Sequence, residues 1–295
     1  MGLRANPGYR HRRFGAEVKK LRLRAGLSSG EAAALMAMKQ SQLSGIESGR
    51  TGLSADRLRR LADAAGLKDQ PFVDALIDLG NATGKGWWSE YRDRLRPAFL
   101  DFAELEASAE TLLTYEPTFI PGLLQTPEYA LASYRGGHVK VTWEEAELGV
   151  EFKVQRQRIL LGSDGPRLHA IIHEAALHMS FGVGRELMRG QLLHLIEASR
   201  SPRVTVQVLP FAGPVPFGSA FTLAAPRVRE LSTVYVPHIE ESLYLADAEA
   251  LDRYHRLFGS LRMSALPPVD ADVRPEALTL KDSLGLIQAL LYPLL

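Results

Sequence analysis

Leu27-Ser-Ser-Gly-Glu-Ala-Ala-Ala-Leu-Met-Ala-Met-Lys-Gln-Ser-Gln-Leu-Ser-Gly-Ile-Glu-Ser-Gly-Arg50 reads as two short helices joined by a tight turn. Ala33 is small and lies midway along the first helix, where a second helix must cross closely, and Ala37 and Met38 form the turn. Leu43 and Ile46, three apart, give the second helix one buried stripe. Gln40, Ser41, Gln42 and Ser44 are left facing outward. Short amides and hydroxyls near a helix N-terminus suit base edges and phosphates in a major groove, and Gln pairs bidentately with adenine. The plain alternative is a helical hairpin within a larger bundle. Such a hairpin does not require Ala33, Leu43, Ile46, Glu47 and Gly49 to hold these spacings together.

The stretch closes on Ser44-Gly-Ile-Glu-Ser-Gly49, and with that phrase it resembles the Cro/repressor-like helix-turn-helix of the XRE family of bacterial regulators. The resemblance implies a domain of about five helices that binds double-stranded DNA. Gln40, Ser41 and Ser44 then touch bases, Gln42 lies on the same face, and Ser29, Lys39, Arg50 and the basic first helix hold phosphates. It also implies that Arg22 pairs with Glu47, tying the first helix to the end of the recognition helix. The chain departs from the pattern at four places. Ser29 stands where many relatives have Gln, and Gly45 replaces a frequent Arg. Lys39 stands where Ser or Thr usually caps the second helix, a loss of roughly 1 kcal/mol. Ala37 replaces the usual turn Gly, at about 1 kcal/mol of strain if its φ is positive.

At 295 residues the chain is long enough for two domains, each with its own core. Its net charge of +1 hides an asymmetry: residues 1–80 carry 14 Lys+Arg against 8 Asp+Glu, or +6, leaving −5 for the remainder. The basic end favours a polyanion, and the acidic remainder argues against DNA wrapped along the whole length. Cysteine is absent, which excludes disulfides and cysteine-ligated zinc fingers and fits a reducing compartment. Met1–Arg13 is basic but lacks the apolar run that export requires. The apolar stretch Leu284–Leu295 falls short of the ~20 residues that span a bilayer. The expectation is a soluble cytoplasmic protein without a membrane partner.

Residues 1–13, with Arg4, Arg10, Arg12 and Arg13 around Pro7 and Gly8, read either as a basic flexible arm along DNA or as a solvated tail. Phe14, Val18, Leu21 and Ala25 then mark a first helix. Ser54 is placed to cap a helix through Ala65, and Pro71 opens a fifth helix to about Leu79. The helix-turn-helix domain is thus 14–80. Polar, Gly-rich Asn81–Gly86 opens a linker, 81–97, in which Trp87-Trp88 either dock one domain on another or are simply buried.

From residue 98 to 266 the pattern becomes a mixed α+β domain. A helix ends near Glu110, and Thr111–Ile120 reads as a strand. Tyr115-Glu-Pro-Thr-Phe-Ile-Pro-Gly-Leu-Leu-Gln-Thr-Pro-Glu-Tyr-Ala130 forces an irregular loop before a helix that starts at Pro127 with Thr126 as cap. That phrase resembles the signature of an uncharacterised domain found behind XRE-type helix-turn-helices in actinobacterial regulators, including those of the WhiJ type. The resemblance continues through Val154-Gln-Arg-Gln-Arg-Ile-Leu-Leu161, Arg167–Leu177, Gly190–Ile196 and Val204–Phe211, and covers roughly residues 10–266. Val204, Val206 and Val208 alternate with polar residues as in a half-buried strand. Further strands are expected over 217–224, 232–236 and 242–246, then an amphipathic helix over 247–263. Residues 267–295 form a tail whose apolar helix, Leu280–Leu291, packs either on its own domain or on a second subunit.

No catalytic residues, cofactor or metal site are expected. His173-Glu-Ala-Ala-Leu-His178 is one residue too long to set two imidazoles four apart on a helix, as a zinc protease motif does. His169 and His173 in a strand would sit ~13 Å apart. The loop from Tyr115 to Tyr129, with Glu116 and Gln125, has the composition of a pocket rim, and equally that of a stiff loop closing a fold. His173 and Glu174 join it as candidate ligand or partner contacts. The favoured expectation is a sequence-specific transcription regulator, not an enzyme. It is expected to be a homodimer, because one recognition helix reads too few bases, and its C-terminal domain would sense a small-molecule effector or partner protein or dimerise. The alternative is an autoregulating antitoxin-like protein that neutralises a small protein encoded beside it.

Overall fold

The structure, a computed structural model, describes residues 7–82, 84–137, 140–162, 164–179, 181–182, 184–213, 217–238, 240–272 and 282–295. Arg4 of the expected arm lies outside the described residues, as does the expected start of the last helix at Leu280. The chain divides into two compact units.

The first unit, Met1–Leu105 with Arg227–Ser232, is helical. Its helices are α1 (Tyr9–Arg24), α2 (Ser29–Leu35), α3 (Gln40–Glu47), α4 (Ala55–Ala64) and α5 (Gln70–Asn81), followed by most of α6 (Pro97–Ala107). The expected stripes meet in one core: Phe14, Val18, Leu21, Ala33, Leu43, Ile46, Leu58, Leu61, Phe72 and Leu76 are all buried, and Val228 and Leu231 pack against them. Helix ends follow local chemistry. Ser28 and Glu31 form a reciprocal capping box at α2, and Asp69 accepts from Phe72 N–H with Pro71 in the first turn of α5. Ser54 occupies the cap position of α4 but makes no side-chain cap bond.

Two expectations about this unit change. Tyr9–Arg13 is not arm but the first turns of α1, with Tyr9, Arg10 and Arg13 buried. The cause is tertiary pairing: Arg10 Nε donates to Glu104 at 2.7 Å, Arg12 reaches Asp101 at 3.4 Å, and Arg13, which also pairs with Glu17 one turn along α1, donates to Glu230 O at 3.2 Å. Nor is 81–97 a bare linker. Trp87–Tyr91 is a 3-10 turn whose aromatic rings meet edge to face, and the unit continues to Leu105.

The second unit, Glu106–Pro226 and Thr233–Leu295, is a six-stranded mixed sheet with helices. In chain order it runs β1 (Thr111–Glu116), α7 (Pro127–Arg135), α8 (Trp143–Gln157), β2 (Arg167–His173), α9 (Glu174–Leu177), α10 (Arg185–Ala198) and β3 (Val204–Leu209). It continues with β4 (Phe221–Ala225), β5 (Thr233–Val236), β6 (Leu243–Leu245), α11 (Ala248–Ser264) and α12 (Ser283–Leu291). The strand order is β3-β2-β1-β4-β5-β6. The first three are parallel, with Leu112, Leu168 and Val204 in register, and β4 to β6 add antiparallel on the other side of β1. Alternation sends Leu113 and Tyr115 to one face, where α11 covers them with Phe258 and Leu261, and Leu112, Thr114 and Glu116 to the other. The β3 edge is closed by backbone bonds from Leu266 and Val269 and by Ser283 Oγ, which accepts from Val208 N–H. Strand β1 stops at Glu116 rather than Ile120, because Pro117 has no N–H for the ladder. The last helix packs on its own unit, against α10 and β3, with Leu284, Ile287 and Leu291 buried.

Candidate nucleic-acid interface

Within the first unit, α2 and α3 are held by a turn that has no glycine. Ala37 carries it at φ 50°, Met38 N–H donates to Ala33 O at 2.9 Å, and the Arg57 guanidinium closes on the carbonyls of Met36 and Ala37 at 2.9 and 3.1 Å. The far end of α3 is fixed by a bidentate ion pair: Arg22 Nε to Glu47 Oε1 at 2.6 Å and a second nitrogen to Oε2 at 3.3 Å, with another bond to Leu27 O. The pair raises the Arg22 pKa further, chiefly through its hydrogen bond to Glu47. Glu47 is therefore a structural residue. Gly15 allows the close approach, since a Cβ there would meet the backbone oxygens of Ile46 and Glu47 at 2.5 and 2.6 Å.

With Leu43 and Ile46 in the core, Lys39, Gln40, Ser41, Gln42, Ser44 and Arg50 are exposed and Ser29 is half-buried. Gln42 is less free than its position suggests: its Oε1 accepts from Lys39 N–H at 2.9 Å, half of a capping box. The other half is missing, because an ammonium cannot accept from the helix amides. No acid lies in the first turn of α3. A positive side chain at the positive end of the helix dipole, over uncapped N–H groups, is an arrangement that an anion stabilises. Of the first-helix cations, Arg10, Arg13 and Arg22 are turned inward into ion pairs and Lys20 pairs with Glu17 at 2.7 Å, whereas Lys19 and Arg24 are exposed. Exposed cations thus stand at both ends of α3, Lys39 before it and Arg50 beyond it.

Residues 13–76 match the family described as a helix-turn-helix domain, and residues 99–273 match a domain of unknown function, DUF5753. The chain belongs to the DUF5753 family. Its N-terminal helix-turn-helix gives it the make-up of a DNA-binding regulator. No curated protein and no solved structure matches the chain. Among the described residues no helix is long and apolar enough to cross a membrane.

In the DUF5753 unit the structure divides the remaining candidates. Tyr115 is fully buried on the α11 face, its hydroxyl donating to Phe217 O at 2.9 Å. Tyr129 is also fully buried and accepts from Ile120 N–H, and Gln125 Nε2 donates to Ile120 O at 2.7 Å, so both pin the irregular loop. His173 caps α9 through Nδ1, and Glu174 accepts from Phe211 N–H at 2.7 Å. Glu116 is different. It lies on the α8 face among groups that sequence reading missed: Lys153 and Arg156, one helical turn apart on α8, and Glu106 at the end of α6. Arg156 pairs with Glu106 at 2.8 Å, and Lys153 Nζ donates to Gln125 Oε1 at 2.7 Å while lying 4.5 Å from the Tyr134 ring centroid. Burial pushes Glu116 up to about 8 and Glu106 up to about 7, against the pull of the neighbouring cations. It pushes Lys153 down to about 7, Arg156 assisting and Glu116 opposing. The i, i+3 cations of α8 were the one visible signal, and an Arg-rich helix is ordinarily a solvated face.

Proposed function

We propose that this chain is a sequence-specific transcription regulator that reads double-stranded DNA with α3 in a major groove, and that its DUF5753 unit receives an effector. The observation that carries the reading is the N-terminal end of α3. Exposed Gln40, Ser41 and Ser44 follow a helix start that has Lys39 in place of a capping acceptor, no acid, and Arg50 exposed beyond its other end. A helix finished that way lacks its own anion, and a phosphate supplies one. The short polar row behind it has the reach for base edges. The Arg22–Glu47 pair supports the reading by fixing the angle at which α3 is presented. Resemblance of the first unit to XRE regulators and of the second to the domain of WhiJ-type regulators points the same way. Two-fold pairing of chains would place two recognition helices one turn apart on a palindromic site.

The test is an anisotropy titration with duplex DNA from upstream of the protein's own gene, against scrambled duplex, for wild type and for Gln40→Ala combined with Ser44→Ala. The double variant is expected to keep its fold and its weak binding to scrambled DNA, and to lose most of the preference for the native duplex. Unchanged preference would remove these two residues from base reading.

A further inference from the structure

In the DUF5753 unit, the carboxyl end of β1 meets one face of α8, and charge there is not fully matched by partners. Two of the four charges form an ion pair, Arg156 Nε with Glu106 Oε2 at 2.8 Å. The guanidinium fills the space beside Gly122 that any side chain at that position would need. Lys153 and Glu116 remain. They interact electrostatically, yet Lys153 spends its hydrogen bond on Gln125 Oε1 and its charge on the Tyr134 ring. Among the described residues no hydrogen bond reaches the Glu116 carboxylate. Both groups are half-buried rather than sealed in the core. The surroundings are rigid: Gln157 Nε2 holds the carbonyls of Gly122 and Gln125 at 3.1 and 2.6 Å, and Gly149 lets the Tyr134 ring lie directly on α8. The place itself, outside the carboxyl ends of parallel strands, is where open α/β sheets commonly hold ligands.

A preformed carboxyl and a preformed amine, close together but not hydrogen-bonded to each other, each recover their charge when a partner of opposite sign arrives, and so are complementary to a molecule that carries two opposite charges on neighbouring atoms. We propose that Glu116 and Lys153 form a binding site for a small zwitterion of the α-amino acid class, with its ammonium on Glu116, its carboxylate on Lys153 and its side chain toward the Tyr134 ring. The site would be the effector site of the regulator proposed above, and to that extent it rests on that reading. Its chemistry is independent of DNA.

The experiment is thermal unfolding of the full chain with the common α-amino acids added one at a time, alongside the N-acetyl and the carboxamide derivative of any that raises Tm. At least one free amino acid is expected to raise Tm, and blocking either charged end should abolish the effect. Glu116→Gln and Lys153→Met, checked by circular dichroism for a retained fold, should each weaken binding by about tenfold or more, as loss of a charged hydrogen bond does. If no amino acid moves the Tm of the native chain, or if the N-acetyl derivative binds as well as the free one, the proposal is overturned. The same protein titrated with DNA separates the two failures, because a chain that binds its operator but no amino acid loses this site and keeps its DNA-reading role.

Discussion

Ala37 sits at φ 50°, in the left-handed region, where a Cβ costs about 1–2 kcal/mol. The chain tolerates it because the turn is held from outside: the Arg57 guanidinium binds the carbonyls of Met36 and Ala37, one on each side of the Ala37 Cα, and Met38 N–H closes back on Ala33. Glycine adopts this conformation without the steric penalty. Ala37→Gly should therefore raise unfolding stability by about 1 kcal/mol, read as a higher urea midpoint at unchanged slope, and leave DNA affinity alone. A midpoint that stays put or falls would mean that the turn relaxes in solution. The strained position was legible, since a helix-turn-helix turn has a fixed place for it. Arg57 was not, because a clamp 20 residues downstream leaves no local signal. For the same reason the arginines of α1 were misread as an arm: Asp101 and Glu104, which bury them, are some 90 residues away in sequence.

At the scale of the element, α3 starts without a side-chain cap, and the proposed phosphate contact would stand in for it. Serine in place of Lys39 would accept from the first-turn amides and complete the half box that Gln42 already makes. Lys39→Ser should stabilise the first unit by about 1 kcal/mol while weakening DNA binding. The slope of log K against log salt should become shallower by about 0.9, the loss of one phosphate contact. Arg50→Ala should flatten the slope to the same extent without the gain in stability. A salt slope unaltered by either change would take both ends of α3 off the phosphate backbone. Elements whose ends are written locally were read well: Thr126 and Pro127 start α7, and Pro71 lies in the first turn of α5. Strand β1 was read too long because its run of Thr, Leu and Tyr masked the stop at Pro117. The α8 face was missed because its charges acquire meaning only when β1 and the Gln125 loop are brought against it.

For the whole molecule, that buried cluster sets how stability varies with pH. Glu116 faces Lys153 and Arg156, with Tyr115, Tyr129 and Tyr235 coupled to it, and Glu106 faces Arg156. Both carboxyls titrate higher in the folded chain than their ordinary 4.5, so between that value and about 7 to 8 the folded state holds protons that the unfolded chain has released. Stability contributed by these groups is complete in acid and declines as pH rises through that window. Lys153 acts in the opposite sense. It loses its proton near 7 in the folded chain and at its ordinary 10.5 when unfolded, so its cost is relieved above pH 7. The sum is a trough near neutrality, where a buried acid and a buried amine compete with burial for their charges and neither is fully paired. Glu116→Gln removes the steeper of the acid contributions and should flatten the decline. Urea midpoints of wild type and variant, measured without added amino acid, should lie close together near about pH 5 and diverge towards about pH 8, with the variant the more stable. Parallel curves across that range would mean that Glu116 is solvated like any surface carboxylate, and that the end of β1 carries no enclosed charge.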